Sequence, residues 1–276
     1  MSFINRLEAA WHHQDSLLCV GLDPDPERFP EGMAPDLTGI LDFNRAIIDA
    51  THDLVCAYKP QIAYYAALGA EPQLEATIAY IQDNYPHIPV VLDAKRGDIG
   101  STARQYAVEA FERYGADAVT VNPYLGFDAI KPFLEYQDRG VILLARTSNP
   151  GAAELQDLDV GGLPLYARIA QLAAQQWNGH GNIGLVVGAT WPQQLEKVRV
   201  EAPELPLLLP GIGAQGGSIA AAVAAGRRAD GKGLLVSASR SVLYASSGTD
   251  FAEAARREAT QLVTQINAAR QPTLAI

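Results

Sequence analysis

Eight short apolar runs rich in Val, Leu and Ile alternate with longer amphipathic segments along the whole chain, and this alternation constrains the fold more than any other feature. The runs are Leu17–Gly21, Cys56–Pro60, Val90–Asp93, Ala118–Asn122, Val141–Ala145, Ile183–Val187, Leu207–Pro210 and Leu234–Ser237. Continuous apolar runs of this length are the pattern of strands buried on both faces, as in parallel sheets covered by helices. The segments between them carry helical spacing, among them Leu37–Thr51, Glu71–Asn84, Ser101–Tyr114, Leu163–Trp177 and Gln193–Ala202, with a last helix from about Asp250 to Ala269. Eight strand-helix units predict a (β/α)8 TIM barrel, and 276 residues match its usual size of roughly 250. A doubly wound sheet alternates in the same way, but the first strand runs into GLDPDPERFP, with prolines and an aspartate where a dinucleotide fold has its glycine turn. No Gly/Ser/Pro tract divides the chain, so residues 1–276 are read as a single domain.

Composition narrows the function. With 21 Lys and Arg against 31 Asp and Glu the formal net charge is −10, the wrong sign for nucleic acid or an anionic membrane surface. No stretch approaches the roughly 20 apolar residues of a membrane span, and the amino terminus lacks the continuous apolar segment of a signal peptide. A cytoplasmic protein is expected. Cys19 and Cys56 lie in apolar runs and read as core thiols. His12, His13, His52, His87 and His180 show no ligand spacing, and neither a metal nor a cofactor is expected.

In such a barrel the chemistry sits at the carboxyl ends of the strands. The third strand ends in VVLDAKRGDIGST; side chains two apart on a strand share a face, so Asp93 and Lys95 should both look into the mouth, with Asp98 on the following loop. A lysine flanked by carboxylates keeps its proton, which suits an acid or a cation and not a Schiff-base nucleophile. A structural ion pair at a strand end would give the same pattern. Lys59 closes the second strand as another cation candidate, or as a solvated lysine, and Asp23 before Pro24 is equally ordinary turn chemistry. The Gly-rich LPGIGAQGGS turn after strand seven and Arg240 after strand eight fit a phosphate site, since free backbone N–H groups and a planar donor fork both favour an anion. The long RTSNPGAAELQDLDVGGLP connection after strand five has the length of a lid, or of a plain surface loop.

Taken together, these motifs resemble the orotidine 5′-phosphate decarboxylase family. The most specific match is the Asp-x-Lys-x-x-Asp-Ile-x-x-Thr pattern of Asp93, Lys95, Asp98, Ile99 and Thr102, supported by Asp23, Lys59, the SNPGA loop at Ser148, Gln215 in the PGIGAQGG turn, and Ser239–Ser241. The DAKRGDI wording is similar to one bacterial branch. The resemblance implies metal-free decarboxylation of orotidine 5′-phosphate to UMP, the last step of de novo UMP synthesis. Lys95 would stabilise and protonate the C6 carbanion, Asp93 would lie against the leaving carboxylate, and Lys59 would bridge the carboxylates and the ribose hydroxyls. It further implies a homodimer in which Asp98 and Thr102 reach the partner's site, with Ile99 among the substrate-binding residues. Asp23 would hold a ribose hydroxyl, Ser148 and Gln215 the pyrimidine, and Arg240 the phosphate, with Ser239 at its side where the family more usually has glycine. Sugar-phosphate relatives with a similar DxKxxD pattern hold magnesium partly through a strand-two glutamate, whereas this chain has Lys59 there. The NPYLGFD connection after strand four receives no role.

Overall fold

The structure is a computed structural model that describes residues 1–211 and 218–270. Eight strands form one parallel sheet: β1 (Leu18–Leu22), β2 (Ala57–Pro60), β3 (Val91–Arg96), β4 (Ala118–Val121), β5 (Gly140–Arg146), β6 (Ile183–Val187), β7 (Leu207–Leu209) and β8 (Leu234–Ala238). The ladder runs β2-β1-β8-β7-β6-β5-β4-β3. Between β2 and β3 only the isolated parallel bridges Tyr58–Val90 and Gln61–Asp93 complete the circle. The expected barrel is therefore present, with its seam at the two strands whose ends carry Lys59 and Asp93. Every residue of β1, β2, β4, β6, β7 and β8 is buried, which explains why these segments read as continuous apolar runs.

Local chemistry sets the helix boundaries. The helix Leu37–Thr51 begins where the Asp36 carboxylate accepts from the N–H groups of Thr38 and Gly39, and it buries Ile40, Phe43, Ile47 and Ile48, the one-face spacing visible in the sequence. Gly39 is required there, because an added Cβ would lie 2.0 Å from the Ala34 carbonyl oxygen. Two helices expected as single runs change pitch near their ends. The segment expected as Ser101–Tyr114 is α-helical over Gly100–Val108 and continues as a π-helical turn, Glu109–Arg113; that expected as Leu163–Trp177 is α-helical over Leu165–Leu172 and π-helical over Ala173–Trp177. Wider turns of this kind shift the register of the side chains that follow.

An amino-terminal helix, Phe3–His13, was not anticipated. Ser2 caps it, Phe3, Leu7, Ala10 and Trp11 are buried, and the Trp11 indole Nε1 donates to the Leu234 carbonyl at 2.9 Å. It packs beneath the amino-terminal ends of the strands, where the Phe3 ring occupies the space over Gly140 that a Cβ would need. Cys19 and Cys56 are buried free thiols, and burial pushes the Cys19 thiol up to about 12. Among the described residues no helix is long and apolar enough to cross a membrane.

Candidate active site

At the carboxyl end of the barrel, β2 and β3 bring three charges into contact. Lys59 Nζ donates to Asp93 Oδ2 at 3.2 Å, and Lys95 Nζ donates to Asp93 Oδ1 at 2.7 Å. The Lys59 and Asp93 side chains are 6% and 11% exposed, while that of Lys95 is 45% exposed and faces the opening. Burial alone would neutralise Lys59, but the carboxylates of Asp93 and Asp23 outweigh it and hold its pKa above the ordinary lysine value. Burial would likewise raise the Asp93 carboxyl, yet Lys59 and Lys95 bring it down to about 2. The site therefore carries a fixed negative charge between two cations.

Asp93 and Lys95 meet as anticipated, but for a different reason from simple strand alternation. The register with β4 passes from Leu92 opposite Val119 to Arg96 opposite Val121, so two extra residues are accommodated in β3. Within this bulge Lys95 takes a left-handed backbone, φ +46°. Thr120 of β4 spans the gap: its Oγ1 accepts from the N–H groups of Ala94 and Lys95 at 3.0 and 2.9 Å and donates to Asp93 Oδ1 at 2.8 Å. Sequence reasoning passed over Thr120, and its one signal was a hydroxyl inside the apolar run AVTV.

A cavity of about 360 Å³ opens beside this set, lined by Asp23, Lys59, Gln61, Tyr64, Asp93, Pro210, Gly211, Ser237, Ser239, Arg240 and Ser241. Asp23 Oδ2 accepts from Ser239 Oγ at 2.6 Å, while its Oδ1 is buried without a partner among the described residues. Tyr244 supports the same turn, donating to the Asp23 carbonyl at 3.1 Å and accepting from Asp25 N–H at 2.8 Å. Arg240 opens the short helix Arg240–Leu243 at the rim.

Other expected residues lie elsewhere. Ser148 lines a neighbouring cavity of about 760 Å³ together with Arg146, Asp157, Thr190, Trp191 and Gln194. The loop holding it is tied back to β5 by Arg146, whose guanidinium pairs with Asp157 at 2.8 and 3.2 Å. Asp98 accepts from the Ile99 N–H at 2.8 Å, Ile99 is 59% exposed and Thr102 is exposed; among the described residues no hydrogen bond joins the three to Lys59, Asp93 or Lys95. Gln215 lies outside the described residues. Among those described, no group of three or more His, Cys, Asp or Glu side chains is placed to hold a metal ion.

The sequence pattern of the orotidine 5′-phosphate decarboxylase / HUMPS family matches residues 16–257. The chain belongs to this family. It is similar to the orotidine 5′-phosphate decarboxylase of Cellvibrio japonicus (strain Ueda107), 63% identical over 273 residues that make up 98% of this chain and 100% of the relative. The orotidine 5′-phosphate decarboxylase of Azoarcus sp. (strain BH72) is 61% identical, again over 98% of this chain and 100% of its own. Among solved structures, the OMP decarboxylase of Leishmania donovani superposes with a TM-score of 0.85 at 41% identity, covering 98% of this chain and 99% of that one. The charged set at the β2–β3 seam thus belongs to an orotidine 5′-phosphate decarboxylase / HUMPS barrel, the family that the DAKRGDI segment resembles.

Proposed function

We propose that the protein is an enzyme that converts orotidine 5′-phosphate to UMP and CO2, without a metal, in pyrimidine biosynthesis. The observation that carries the reading is the Lys59–Asp93–Lys95 array at the mouth of a family barrel, with Lys59 and Asp93 buried and Lys95 open. Within a family that also includes sugar-phosphate enzymes, Lys59 supports this reading: its ammonium lies 3.2 Å from Asp93 at the strand end where a magnesium-dependent relative would carry a carboxylate.

The chemistry follows from the charges. When the C6–carboxylate bond breaks, its electron pair stays on C6 and CO2 departs, so the barrier falls if a cation is already in place where the carbanion develops. Lys95, the more open of the two lysines, would supply that cation and then pass a proton from Nζ to C6. Asp93 would lie against the leaving carboxylate and keep both lysines oriented. Lys59 would reach the ribose hydroxyls, and the free Oδ1 of Asp23 would accept from one of them. Arg240, at the cavity rim, would bind the phosphate, with Ser239 fixing Asp23 beside it. Binding energy from the phosphate, remote from C6, can then order the charged set. Ser148 would reach the pyrimidine as its loop closes, and Gln215 would join it.

We further propose that the working unit is a cytoplasmic homodimer, with Asp98, Ile99 and Thr102 completing the partner's site. The exposure of Ile99 and Thr102 in the single chain, with Asp98 half-buried beside them, fits that role. So does the NPYLGFD connection, where Tyr124 is 71%, Leu125 47% and Phe127 43% exposed at the same end of the barrel as Ile99. Apolar side chains left open on successive loops mark a contact surface.

Chelator-treated protein should lower the ultraviolet absorbance of orotidine 5′-phosphate as UMP forms, and added magnesium should not raise the rate. A protein inert toward orotidine 5′-phosphate but active on a sugar phosphate with magnesium would refute the reading.

A further inference from the structure

The bulge in β3 creates a structural problem that Thr120 solves. Three residues, Asp93 to Lys95, lie opposite the single β4 position between Val119 and Val121, so the N–H groups of Ala94 and Lys95 have no ladder carbonyl facing them. Both turn instead to the Thr120 hydroxyl. A hydroxyl has two acceptor sites and one proton. With both acceptor sites occupied, the proton is directed to Asp93 Oδ1, the same oxygen that receives Lys95 Nζ. Thr120 is fully buried, so water does not compete for these bonds. A left-handed backbone at a residue other than glycine persists only where its surroundings determine it, and at Lys95 this hydroxyl is the group that holds the backbone N–H.

We infer that Thr120 is a positioning residue for the decarboxylation: its hydroxyl fixes the backbone of Lys95 and the carboxylate of Asp93 in one geometry, and through them places the ammonium at the reacting carbon. The inference rests on the decarboxylase reading above. Thr120 touches neither reacting atom and acts only through Lys95 and Asp93.

Thr120→Val keeps the shape and removes the hydroxyl, whereas Thr120→Ser keeps the hydroxyl. Displacing a reacting group by about 1 Å costs on the order of 100-fold in rate, and the Val variant should lose kcat on that scale. Its affinity for UMP, which lacks the carboxylate, should stay within about threefold, and the Ser variant should retain kcat within about threefold. Hydrogen exchange across residues 92–97 should quicken in the Val variant and not in the Ser variant. Should Thr120→Val not fold, Thr120→Ala is read in its place. A folded Val or Ala variant with unchanged kcat, an equal loss in Thr120→Ser, or a loss of UMP affinity matching the loss of kcat would overturn the inference while leaving the decarboxylase reading intact. An inactive wild-type protein would overturn both.

Discussion

Lys59 and Asp93 stand 3.2 Å apart although 34 residues separate them, and they meet at the one seam of the barrel where no continuous ladder joins neighbouring strands. With only the Tyr58–Val90 and Gln61–Asp93 bridges between β2 and β3, the ion pair helps to close the cylinder as well as to charge the site. Removing one member of a buried pair strands the other, at a cost of about 3–5 kcal/mol. Asp93→Asn should therefore lower stability on that scale, as read from urea unfolding at neutral pH.

That penalty should depend on pH in a direction fixed by the pKa shifts. The Asp93 carboxyl is held at about 2 against an ordinary 3.8, so its contribution is fully present above pH 3.8 and fades as the pH falls toward 2. A shift of this size is worth about 2 kcal/mol. Lys59 is raised, so its contribution is present below its ordinary 10.5 and is lost only at pH values above that. The stability gap between the wild type and Asp93→Asn should be flat from pH 5 to 9 and narrow between pH 4 and 2. A gap that widens on acidification would show that Asp93 is not ionised in the folded protein.

The dimer is tested by complementation. Lys95→Ala and Asp98→Ala should each be nearly inactive alone. If Asp98 acts across the interface, refolding the two together yields mixed dimers with one intact site, and activity should return to roughly a quarter of the wild-type level. No recovery on mixing would place Asp98 and Lys95 in the same subunit's site. Tyr124→Glu, which sets a charge on the proposed contact surface, should shift the sedimentation coefficient toward the monomer.

Arg240 lines the rim of the cavity that also holds Asp23, Lys59 and Asp93, and is proposed to meet the phosphate there. Arg240→Ala should raise KM for orotidine 5′-phosphate roughly 10- to 100-fold, the scale of a lost charge-assisted contact. Orotidine without its phosphate should be turned over equally by both proteins. An unchanged KM would remove Arg240 from the phosphate site.

Packing gives a prediction independent of function. An alanine methyl at position 39 would meet the Ala34 carbonyl, a backbone atom with little room to move. Gly39→Ala should destabilise by about 1–3 kcal/mol, measurable as a lower Tm.

The barrel was legible because burial on both faces writes strands as unbroken apolar runs; Ile183–Val187 agrees at both ends, as does the helix Leu37–Thr51. The charged set was legible because strand ends in this fold converge. What escaped was geometry that departs from regular periods. Alternation brought Asp93 and Lys95 together in the reading, but a bulge and a left-handed lysine do so in the structure, and the Thr120 hydroxyl that holds them looks in sequence like a β-branched core residue. Phe3–His13 was missed although Phe3, Leu7, Ala10 and Trp11 share one face; its charged residues Arg6 and Glu8 are used within the fold, pairing with Asp117 and Arg228. Asp98 and Thr102 make no hydrogen bond to Lys59, Asp93 or Lys95 among the described residues, so the single chain does not disclose what their motif does. Ser148 stands apart from the charged set because its loop is held to β5 by the Arg146–Asp157 pair.

The most direct test of the account is single-turnover decarboxylation of orotidine 5′-phosphate by Lys95→Ala, measured beside the Kd for UMP. If Lys95 stabilises and protonates the carbanion, the rate should fall roughly 1,000-fold or more while UMP binds within about tenfold of the wild type. A Lys95→Ala protein that still releases CO2 at near the wild-type rate would contradict the account and require another cation at C6.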